Sequence, residues 1–364
     1  MKREHKASPY RDGCCSSNPQ TPSAGLPLCL FYSAKRRSAV KYLRIPRFLA
    51  ALPFCLATWS VHAETLKLGH VTPPSHVWHK IAVQIDKNVQ EKSGGKMKIA
   101  VSPLSKLGSE GLMMDMLRSG AMPMAILTAG SLANREPAFL GWSIPYLFRD
   151  VRHASASASS PAAREMLGRL DKHGMIGMGY GFAGMRHVLS LSPVKRPADL
   201  KNRKVRAFPN PVYRDFWRSN GAAPTPLPLS EVAPALATNL LDAVDIDLDA
   251  LAGMKFYQQA PYLTMSNHMA FPAVIVVSKR YWDGLDDSKR RILREAVREA
   301  EQWGYAEAVA AENRNLQTVL REGVKLQDAN LQPFADIALH VAADYRRQNT
   351  LLARFYREVQ VATP

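Results

Sequence analysis

The distribution of hydrophobic residues after position 63 predicts strands and helices in alternation. Residues 66–70 alternate apolar and polar positions, as a half-buried strand does, and residues 77–91 repeat apolar side chains at helical spacing. A second strand is predicted at 97–101, a helix that ends at a glycine at 111–118, and a third strand at 124–128. Such alternation is typical of an α/β layer with a parallel sheet.

The second half of the chain contains one very long helical pattern. Strands are predicted at 175–184, 205–208 and 273–278, and the glycines of the first lack the spacing of a dinucleotide-binding loop. Residues 287–322 predict a helix of about 50 Å, with Gly323 as its C-cap. A helix that leans across two domains accounts for this length, because the sustained heptads of a coiled coil are absent.

Three segments follow predicted strands directly. They are residues 70–78, 107–110 and 128–131. In open α/β sheets, ligands bind beyond the carboxyl ends of the strands. We therefore expect these segments to face a ligand.

Composition and charge are those of an ordinary globular protein. At 364 residues, with 46% hydrophobic and 22% charged, the chain is long enough for two domains with their own cores. The formal charge is +17, but ten of the 48 basic and two of the 31 acidic residues lie in residues 1–63, which leaves +9. That remainder forms no basic stripe, so we expect no nucleic-acid partner.

Cysteine usage separates the first 63 residues from the rest. Cys14, Cys15, Cys29 and Cys55 all precede residue 64. The remaining sequence therefore has no thiol for catalysis or zinc binding, which suits an oxidising compartment.

The first 63 residues carry the pattern of a secretory signal peptide. Basic residues between 35 and 47 precede a mostly apolar run at 48–61, and Val61-His62-Ala63 fits a small-residue cleavage site. The run is short for a membrane-spanning helix, so we expect export and cleavage after Ala63. Residues 1–34 are polar and unlike a signal peptide, which leaves two alternatives: translation that begins near Val40, or a disordered extension.

Two arginines stand on apolar-flanked segments that should enter a core. Arg186 follows Gly184, Arg206 ends a basic segment, and no acidic residue stands out as the partner of either. A buried unpaired guanidinium is costly, whereas its planar fork of donors suits a carboxylate. The sequence thus predicts an anionic ligand, with the alternative that either arginine fixes an internal acid such as Asp245 or Glu231.

From residue 66 almost to the C-terminus, an ordered set of motifs resembles the periplasmic solute-binding proteins of tripartite ATP-independent periplasmic (TRAP) transporters, of the DctP type. The motifs are Ser-Lys-Leu-Gly-Ser-Glu at 105–110, Ile-Pro-Tyr-Leu-Phe at 144–148 with His153, Gly-Met-Arg at 184–186, 199–206, 221–226, 230–236 and Asn-His at 267–268. Each motif is weak alone, but their order and spacing together are specific.

The resemblance implies an α/β fold of the two-domain periplasmic binding protein clamshell kind (type II-like), with a long helix spanning both domains. The predicted division is a leader with signal peptide at 1–63, domain I at 64–183 plus 272–311, and domain II at 184–271 plus 312–364. Residues 155–160 suit either a linker or the start of a helix, so they place no boundary.

The resemblance also implies a function. The protein is expected to be periplasmic and monomeric, to capture a small organic acid, and to deliver it to the membrane subunits of a TRAP transporter. Catalysis, a cofactor and a bound metal are not expected.

Residue by residue, Arg206 matches the family arginine that grips the ligand carboxylate and Arg186 matches a supporting arginine. The ligand-binding set implied in this way is Arg206, Arg186, Glu110, His70, Trp78, Thr128, Ile246, Leu229 and Phe208. Within it, Glu110 is either a partner for a ligand hydroxyl or a solvated carboxylate at the start of a helix.

The chain departs from the family pattern where polar ligand contacts are common. Many relatives have Asp-Gly-x-Glu-Asn-Pro where this chain has Asp-Ala-Val-Asp-Ile-Asp at 242–247, so Ile246 replaces an asparagine. Pro209 and Leu229 stand where some sialic-acid binders place an amide and an aromatic residue. An unpaired buried polar group costs about 1–3 kcal/mol, so these changes favour an aliphatic or aromatic carboxylate over a sialic or uronic acid.

Other functions fit the sequence less well. His70, His76 and His79 lie close together, but they straddle two prolines and lack the His-Glu-x-x-His pattern of a zinc enzyme. The sequence has no Gly-x-Ser-x-Gly elbow of a hydrolase. A binding module that feeds a sensor instead of a permease stays an alternative, and a metal-dependent periplasmic enzyme is a weaker one.

Overall fold

The computed structural model describes residues 63–362, which contain a mixed β-sheet flanked by helices. The strands in these residues are β1 (Glu64–Gly69), β2 (Met97–Ser102), β3 (Met124–Thr128), β4 (Met175–Ser190), β5 (Lys204–Ala207), β6 (Ala223–Pro226), β7 (Ala243–Asp247), β8 (Tyr262–Ser278) and β9 (Lys325–Leu326). Their spatial order is β2-β1-β3-β8-β4-β7-β5-β6, and β9 pairs with β8.

The α-helices of the same range are α1 (Val77–Ser93), α2 (Glu110–Ser119), α3 (Ala129–Leu132), α4 (Val151–Ser157), α5 (Pro161–Arg169), α6 (Pro211–Ser219), α7 (Val232–Ala237), α8 (Leu248–Gly253), α9 (Lys279–Asp283), α10 (Asp287–Arg321), α11 (Gln332–Gln348) and α12 (Thr350–Val361). The strands predicted in the first half, and the helices predicted there and at 287–322, are confirmed to within two residues at each end. Local capping explains this agreement: Ser109 begins α2 by accepting from Leu112 N, and Gly120 ends it at φ 81°.

The parallel sheet predicted from the alternation at 66–128 is confirmed for β1, β2 and β3, whereas the centre of the sheet, for which the pattern predicts no pairing, is antiparallel. Strands β1, β2 and β3 pair in parallel at one end, and β5, β6 and β7 at the other. Between them, β8 pairs antiparallel with both β3 and β4, and β4 pairs antiparallel with β7. The alternation of strand and helix patterns predicts each local βαβ unit, but it does not specify how the long strands β4 and β8 pair, because the paired residues lie far apart in the chain.

Strands β4 and β8 are longer than predicted, because the predictions at 175–184 and 273–278 cover only part of each. Both strands contribute to two hydrophobic clusters of the described chain. Tyr180 and Val277 belong to the larger cluster, and Leu189 and Leu263 to the smaller one, which α7, α8 and β7 complete. The pairing of β4 with β8 shifts register between Phe182 and Met185, so the two strands are irregular where they pass from one end of the sheet to the other.

Helix α10 is 35 residues long and packs along this irregular region. Glu301 accepts a hydrogen bond from Tyr180 N at 2.6 Å, and Glu312 accepts one from Met185 N at 3.0 Å. The helix thus holds β4 on both sides of its register shift.

The two C-terminal helices, α11 and α12, pack against separate parts of the described chain. Phe355 of α12 packs on Trp142 with ring centroids 4.5 Å apart, and Tyr345 of α11 donates to Asp215 in α6 at 2.6 Å. The serine-rich segment at 155–160 contains the last residues of α4, which ends at Ser157, and Ser160, which is the N-cap of α5. The predicted domain ranges stay predictions.

The four cysteines and all of the predicted leader, residues 1–63, except Ala63 lie outside the described residues. Among the helices of residues 63–362, none combines the length and the apolar character needed to cross a membrane.

Candidate ligand-binding site

Two adjoining cavities lie beyond the carboxyl ends of β1, β3, β5 and β7. The outer cavity has a volume of about 390 Å³, and a narrow inner recess has a volume of about 20 Å³. Val71, Arg206, Phe208 and Leu229 line both of them and form the boundary between them. The segments after β1 and β3, which the strand pattern predicted to face a ligand, contribute to these walls.

Eight of the nine predicted ligand-binding residues line one or both cavities. They are Arg206, Arg186, Glu110, Trp78, Thr128, Ile246, Leu229 and Phe208. His70 is the exception. Its ring is buried between Thr72 Oγ1 and His79 Nδ1, each 3.0 Å from a ring nitrogen, and it does not line either cavity.

Arg206 is a buried cation whose guanidinium has no ion pair within residues 63–362. The residue is 3% exposed, and its Nε donates to the Leu227 carbonyl at 3.0 Å. Its Cζ lies 5.4 Å from the centre of the Phe208 ring. Burial, with a further contribution from Arg186, lowers the pKa of Arg206 to about 10. Arg206 therefore faces both cavities with a charge that the described protein does not neutralise.

Arg186 is different, because the structure gives it internal acidic partners. Its Nε donates to Asp245 Oδ1, its Nη2 donates to the Asp245 carbonyl, and its Nη1 lies 3.6 Å from Asp247 Oδ2. The face of the guanidinium lies 4.1 Å from the Phe271 ring centroid. The expectation that neither arginine has an internal partner is wrong for Arg186, and the alternative of a fixed internal acid applies to it.

Asp245 is the centre of a buried polar group that the sequence analysis missed as a unit. Besides Arg186, it accepts from Trp217 Nε1 at 3.1 Å, and His268 Nε2 lies 3.3 Å from its Oδ2. Burial opposes its ionisation, but Arg186 and His268 together hold the pKa of Asp245 well below its usual range. The residue is therefore an ionised anchor for Arg186.

Asp247 ends β7 and begins α8. Its Oδ1 accepts from Ala250 N at 2.8 Å as the N-cap of α8, and His76 Nε2 lies 3.5 Å from the same oxygen. Although burial opposes it, His76 and Arg186 lower the pKa of Asp247. The alternating pattern at 243–247 could have revealed this strand, since residues 245 and 247 share one face.

Glu110 lines the outer cavity, where internal donors hold its partly buried carboxylate, and its contact with a ligand hydroxyl stays a prediction. Its oxygens accept from Thr128 N at 2.6 Å, Thr128 Oγ1 at 3.0 Å and Ser131 Oγ at 2.6 Å. Burial raises the pKa of Glu110 despite these donors. The residue thus fixes the start of α3 at the edge of the outer cavity.

The remaining walls of the recess are largely apolar. Trp78 stacks on Phe271 with centroids 5.3 Å apart, and Phe208 meets Phe271 edge to face at 5.5 Å. Ile246 and Leu229 complete this wall. Among the described residues, no group of three or more His, Cys, Asp or Glu side chains is placed to hold a metal ion.

A mixed α/β sheet with a buried cation at a cavity beyond its strand ends defines a protein built to bind a small anion. Residues 68–348 match the family described as bacterial extracellular solute-binding protein, family 7 (DctP), and the chain belongs to that family. The predicted family and fold class are therefore confirmed.

Individual proteins are similar to this chain over most of its length. The 2,3-diketo-L-gulonate-binding periplasmic protein YiaO of Escherichia coli is 28% identical over 291 residues, which cover 80% of this chain and 86% of that protein. The sialic acid-binding periplasmic protein SiaP of Vibrio cholerae is 26% identical over 276 residues, covering 75% of this chain and 86% of that protein.

Solved structures of periplasmic solute-binding proteins are similar to this chain in fold. A TRAP periplasmic solute-binding protein from Bordetella bronchispeptica, with density interpreted as pantoate, has a TM-score of 0.79 at 27% identity and covers 83% of this chain and 100% of that chain. One from Bradyrhizobium, in complex with galacturonate, has a TM-score of 0.78 at 27% identity, covering 82% of this chain and 99% of that chain.

Proposed function

We propose that this protein captures a small organic carboxylate outside the cytoplasm and delivers it to the membrane subunits of a TRAP transporter. The observation that carries the proposal is Arg206, a buried guanidinium at both cavities without an ion pair in the described chain. A bound carboxylate supplies the missing charge and can accept two parallel hydrogen bonds from the guanidinium fork.

The relatives support the chemical class of the ligand. YiaO is named for 2,3-diketo-L-gulonate and SiaP for sialic acid, and both compounds carry a carboxylate. In this chain, Val71, Met114 and Phe208 place apolar surface in the outer cavity. This surface supports a ligand with an apolar body, in line with the sequence-based preference for an aliphatic or aromatic acid.

Closure of the two domains strengthens the ion pair to Arg206. In an open cleft, water screens the attraction between carboxylate and guanidinium, whereas a closed cavity of low dielectric increases it. Ligand binding therefore favours the closed form in proportion to its extra affinity for that form.

The proposal has several finer parts. The protein works in the periplasm as a monomer, with its leader cleaved after Ala63, and it hands over its ligand without chemical conversion. Arg186 assists Arg206 by position and charge, although it is already paired with Asp245. Intact mass of the protein purified from the periplasm tests the cleavage site: a chain that begins at another residue contradicts it.

The binding role is tested by thermal denaturation of that purified protein against a panel of aliphatic, aromatic and sugar acids. An acid at 100 times its dissociation constant should stabilise the folded state by about 2.7 kcal/mol, which raises the melting temperature by a few degrees. The proposal fails if no acid shifts the melting temperature and mass spectrometry finds no acid released from the denatured protein.

A further inference from the structure

The positive charge of residues 64–364 is concentrated in one short segment. Residues 195–222 hold eight basic and two acidic side chains, which is +6 of the +9 in residues 64–364. Seven of the eight basic side chains are exposed, and Arg206 at the cavities is the exception. The expectation that the basic residues form no stripe is therefore wrong for this segment.

The fold places the segment at the end of the sheet opposite to the ligand cavities. Strands β5, β6 and β7 are parallel neighbours, so their amino ends lie side by side, whereas the cavities lie beyond the carboxyl ends of β5 and β7. Lys204 begins β5, and Lys201 lies in the turn before it. That turn meets the turn before β6, because Asn202 N donates to the Gly221 carbonyl at 2.9 Å. The basic turns thus form a surface apart from the ligand site.

Two further segments bring lysines to the same end of the sheet. Ser190, the last residue of β4, pairs with the first residues of β7 and β8, so the loop that contains Lys195 also begins there. Strand β9 places Lys325 beside Tyr262 at the start of β8. Asn330 N, in the loop after β9, donates to the Lys195 carbonyl at 3.0 Å and joins the two segments. We call the four exposed lysines of this end the basic face: Lys195, Lys201, Lys204 and Lys325.

The lysines of the basic face keep their charge free, in contrast to the arginines beside them. Arg196 lies 3.5 Å from Asp199, and Arg203 lies 3.5 Å from Asp242. Within residues 63–362, none of the four lysines has such an ion pair, and the loops on either side of β9 add two exposed acidic residues, Glu322 and Asp328. The basic face therefore retains a positive charge that an external partner can neutralise.

Two exposed leucines flank the basic face. Leu240, in the turn before β7, is 52% exposed, and Leu326 of β9, which follows Lys325, is 47% exposed. Both lie at the end of the sheet where β7 and β8 begin. Free lysines beside exposed apolar side chains are typical of surfaces that lie on an anionic membrane.

We propose that the basic face and its two leucines form a docking surface for an anionic phospholipid membrane. The lysines are attracted to the headgroup phosphates, and the leucines enter the boundary between headgroups and acyl chains. None of the four lysines lines either ligand cavity, so the inference goes beyond ligand capture and does not depend on it. A protein that docks in this way has its cavities at the end of the sheet away from the bilayer.

Other roles explain this surface less well. Lysines on an edge strand hinder pairing with a second sheet, but the edge strand β6 has no charged side chain and already contains Pro224 and Pro226. A nucleic acid also attracts lysines, but its phosphate backbone offers no apolar phase to Leu240 and Leu326. A membrane accounts for the charge and for the exposed leucines together.

Flotation of the purified protein with lipid vesicles tests the inference. Vesicles of equimolar phosphatidylcholine and phosphatidylglycerol are compared with vesicles of phosphatidylcholine alone. We expect binding to the anionic vesicles only, weakened at least about tenfold when salt screens the lysines. Equal binding to both kinds of vesicle overturns the inference, as does an absence of binding to both or binding to a DNA duplex without binding to vesicles.

Replacement of all four lysines of the basic face by glutamine locates the surface. Each lysine near an anionic bilayer raises the affinity about fivefold, so this variant should bind the anionic vesicles at least about 100-fold more weakly. The matched control has the same change in net charge but lies at the opposite edge of the sheet, where glutamine replaces four other exposed lysines: Lys67, Lys87, Lys96 and Lys98. A similar loss of affinity in both variants contradicts the assigned face.

The leucines are tested separately. Leu240→Gln combined with Leu326→Gln leaves every charge in place, so binding should remain sensitive to salt but weaken at least about threefold. Unchanged affinity contradicts the part assigned to the leucines. Circular dichroism checks that each variant is folded, and the comparison of vesicles with the wild type decides the inference if a variant is not.

Discussion

Arg186 and Arg206 are both buried at the same site, but their surroundings give them different tasks. Arg186 is paired with Asp245 and lies near Asp247, so its charge is compensated before any ligand arrives. Arg206 has no such pair in the described chain, and burial lowers its pKa to about 10. The first arginine therefore stabilises the fold, and the second retains its charge for the ligand at some expense of stability.

This difference predicts that Arg206→Met separates binding from folding. Methionine fills similar space without a charge, so the unfolding free energy of the ligand-free protein should change by less than about 1 kcal/mol or increase. Carboxylate affinity should fall at least about 100-fold, because the ligand charge then lacks its partner. Denaturant unfolding and calorimetry measure the two effects, and a stability loss above about 3 kcal/mol would show that Arg206 is a structural residue.

Asp245→Asn, in contrast to Arg206→Met, should lower the stability of the ligand-free protein. It leaves Arg186 without its ionised partner and should reduce the unfolding free energy by about 3–5 kcal/mol at pH 7. Asp287→Asn, at a side chain that is 96% exposed, is the control and should change it by less than about 0.5 kcal/mol.

The same variant has a predicted pH dependence. The pKa of Asp245 is lower in the folded than in the unfolded protein, so its stabilisation is complete above the unfolded value of about 4 and is lost as the pH falls further. The stability difference between wild type and Asp245→Asn should therefore shrink between pH 5 and pH 3. A constant difference over that range contradicts the ion pair.

At the scale of elements, α10 and β4 form the connection between the two hydrophobic clusters. Glu301 and Glu312 hold Tyr180 N and Met185 N, and Gly184 lies between these contacts at φ 110°. A side chain is strained at that φ, and a Cβ there would also lie 3.4 Å from Glu312 Oε1. The glycine is thus required by the irregular passage of β4 beneath α10.

Gly184→Ala should accordingly destabilise the protein by about 1–3 kcal/mol in denaturant unfolding. Gly168→Ala is the matched control, because Gly168 lies in α5 with nothing within 4 Å of its added Cβ. That substitution should stabilise by about 0.4–1 kcal/mol. Equal effects of the two substitutions would contradict the strained position of Gly184.

The sequence predicts elements better than it predicts their pairing. Helical spacing and caps are local, which is why α1, α2 and α10 could be located from sequence. The antiparallel return of β8 along β4 joins residues far apart in the chain, and no local pattern specifies it.

The same limit applies to the site. The strand that carries Arg206 could be predicted, and the sequence offers Asp245 as one alternative partner for either arginine, but it does not decide that Asp245 pairs with Arg186, 59 residues away. That choice requires the pairing of the two strands to be known.

For the whole molecule, buried histidines predict a loss of stability on mild acidification. Burial, assisted by His79, lowers the pKa of His70 to about 3, and burial, assisted by His268, lowers that of His187 to about 3. In the unfolded chain both titrate near 6.5, so the unfolded state takes up protons first. Their contribution is present above pH 6.5 and is lost as the pH falls.

Each of these histidines should lower the unfolding free energy by roughly 2 kcal/mol at pH 5 relative to pH 7.5. His70→Gln and His187→Gln should each weaken the pH dependence of the unfolding free energy by about that amount. Denaturant titrations at both pH values measure this, and a pH dependence equal to that of the wild type in both variants contradicts it.

The central claim is that Arg206 clamps the carboxylate of a captured acid. Its most direct test is calorimetric titration of the wild type and Arg206→Lys with the acid that gives the largest thermal shift. Lysine keeps the positive charge but cannot reproduce the planar fork, so affinity should fall at least about tenfold while the variant stays folded. Equal affinities for the acid would contradict the account.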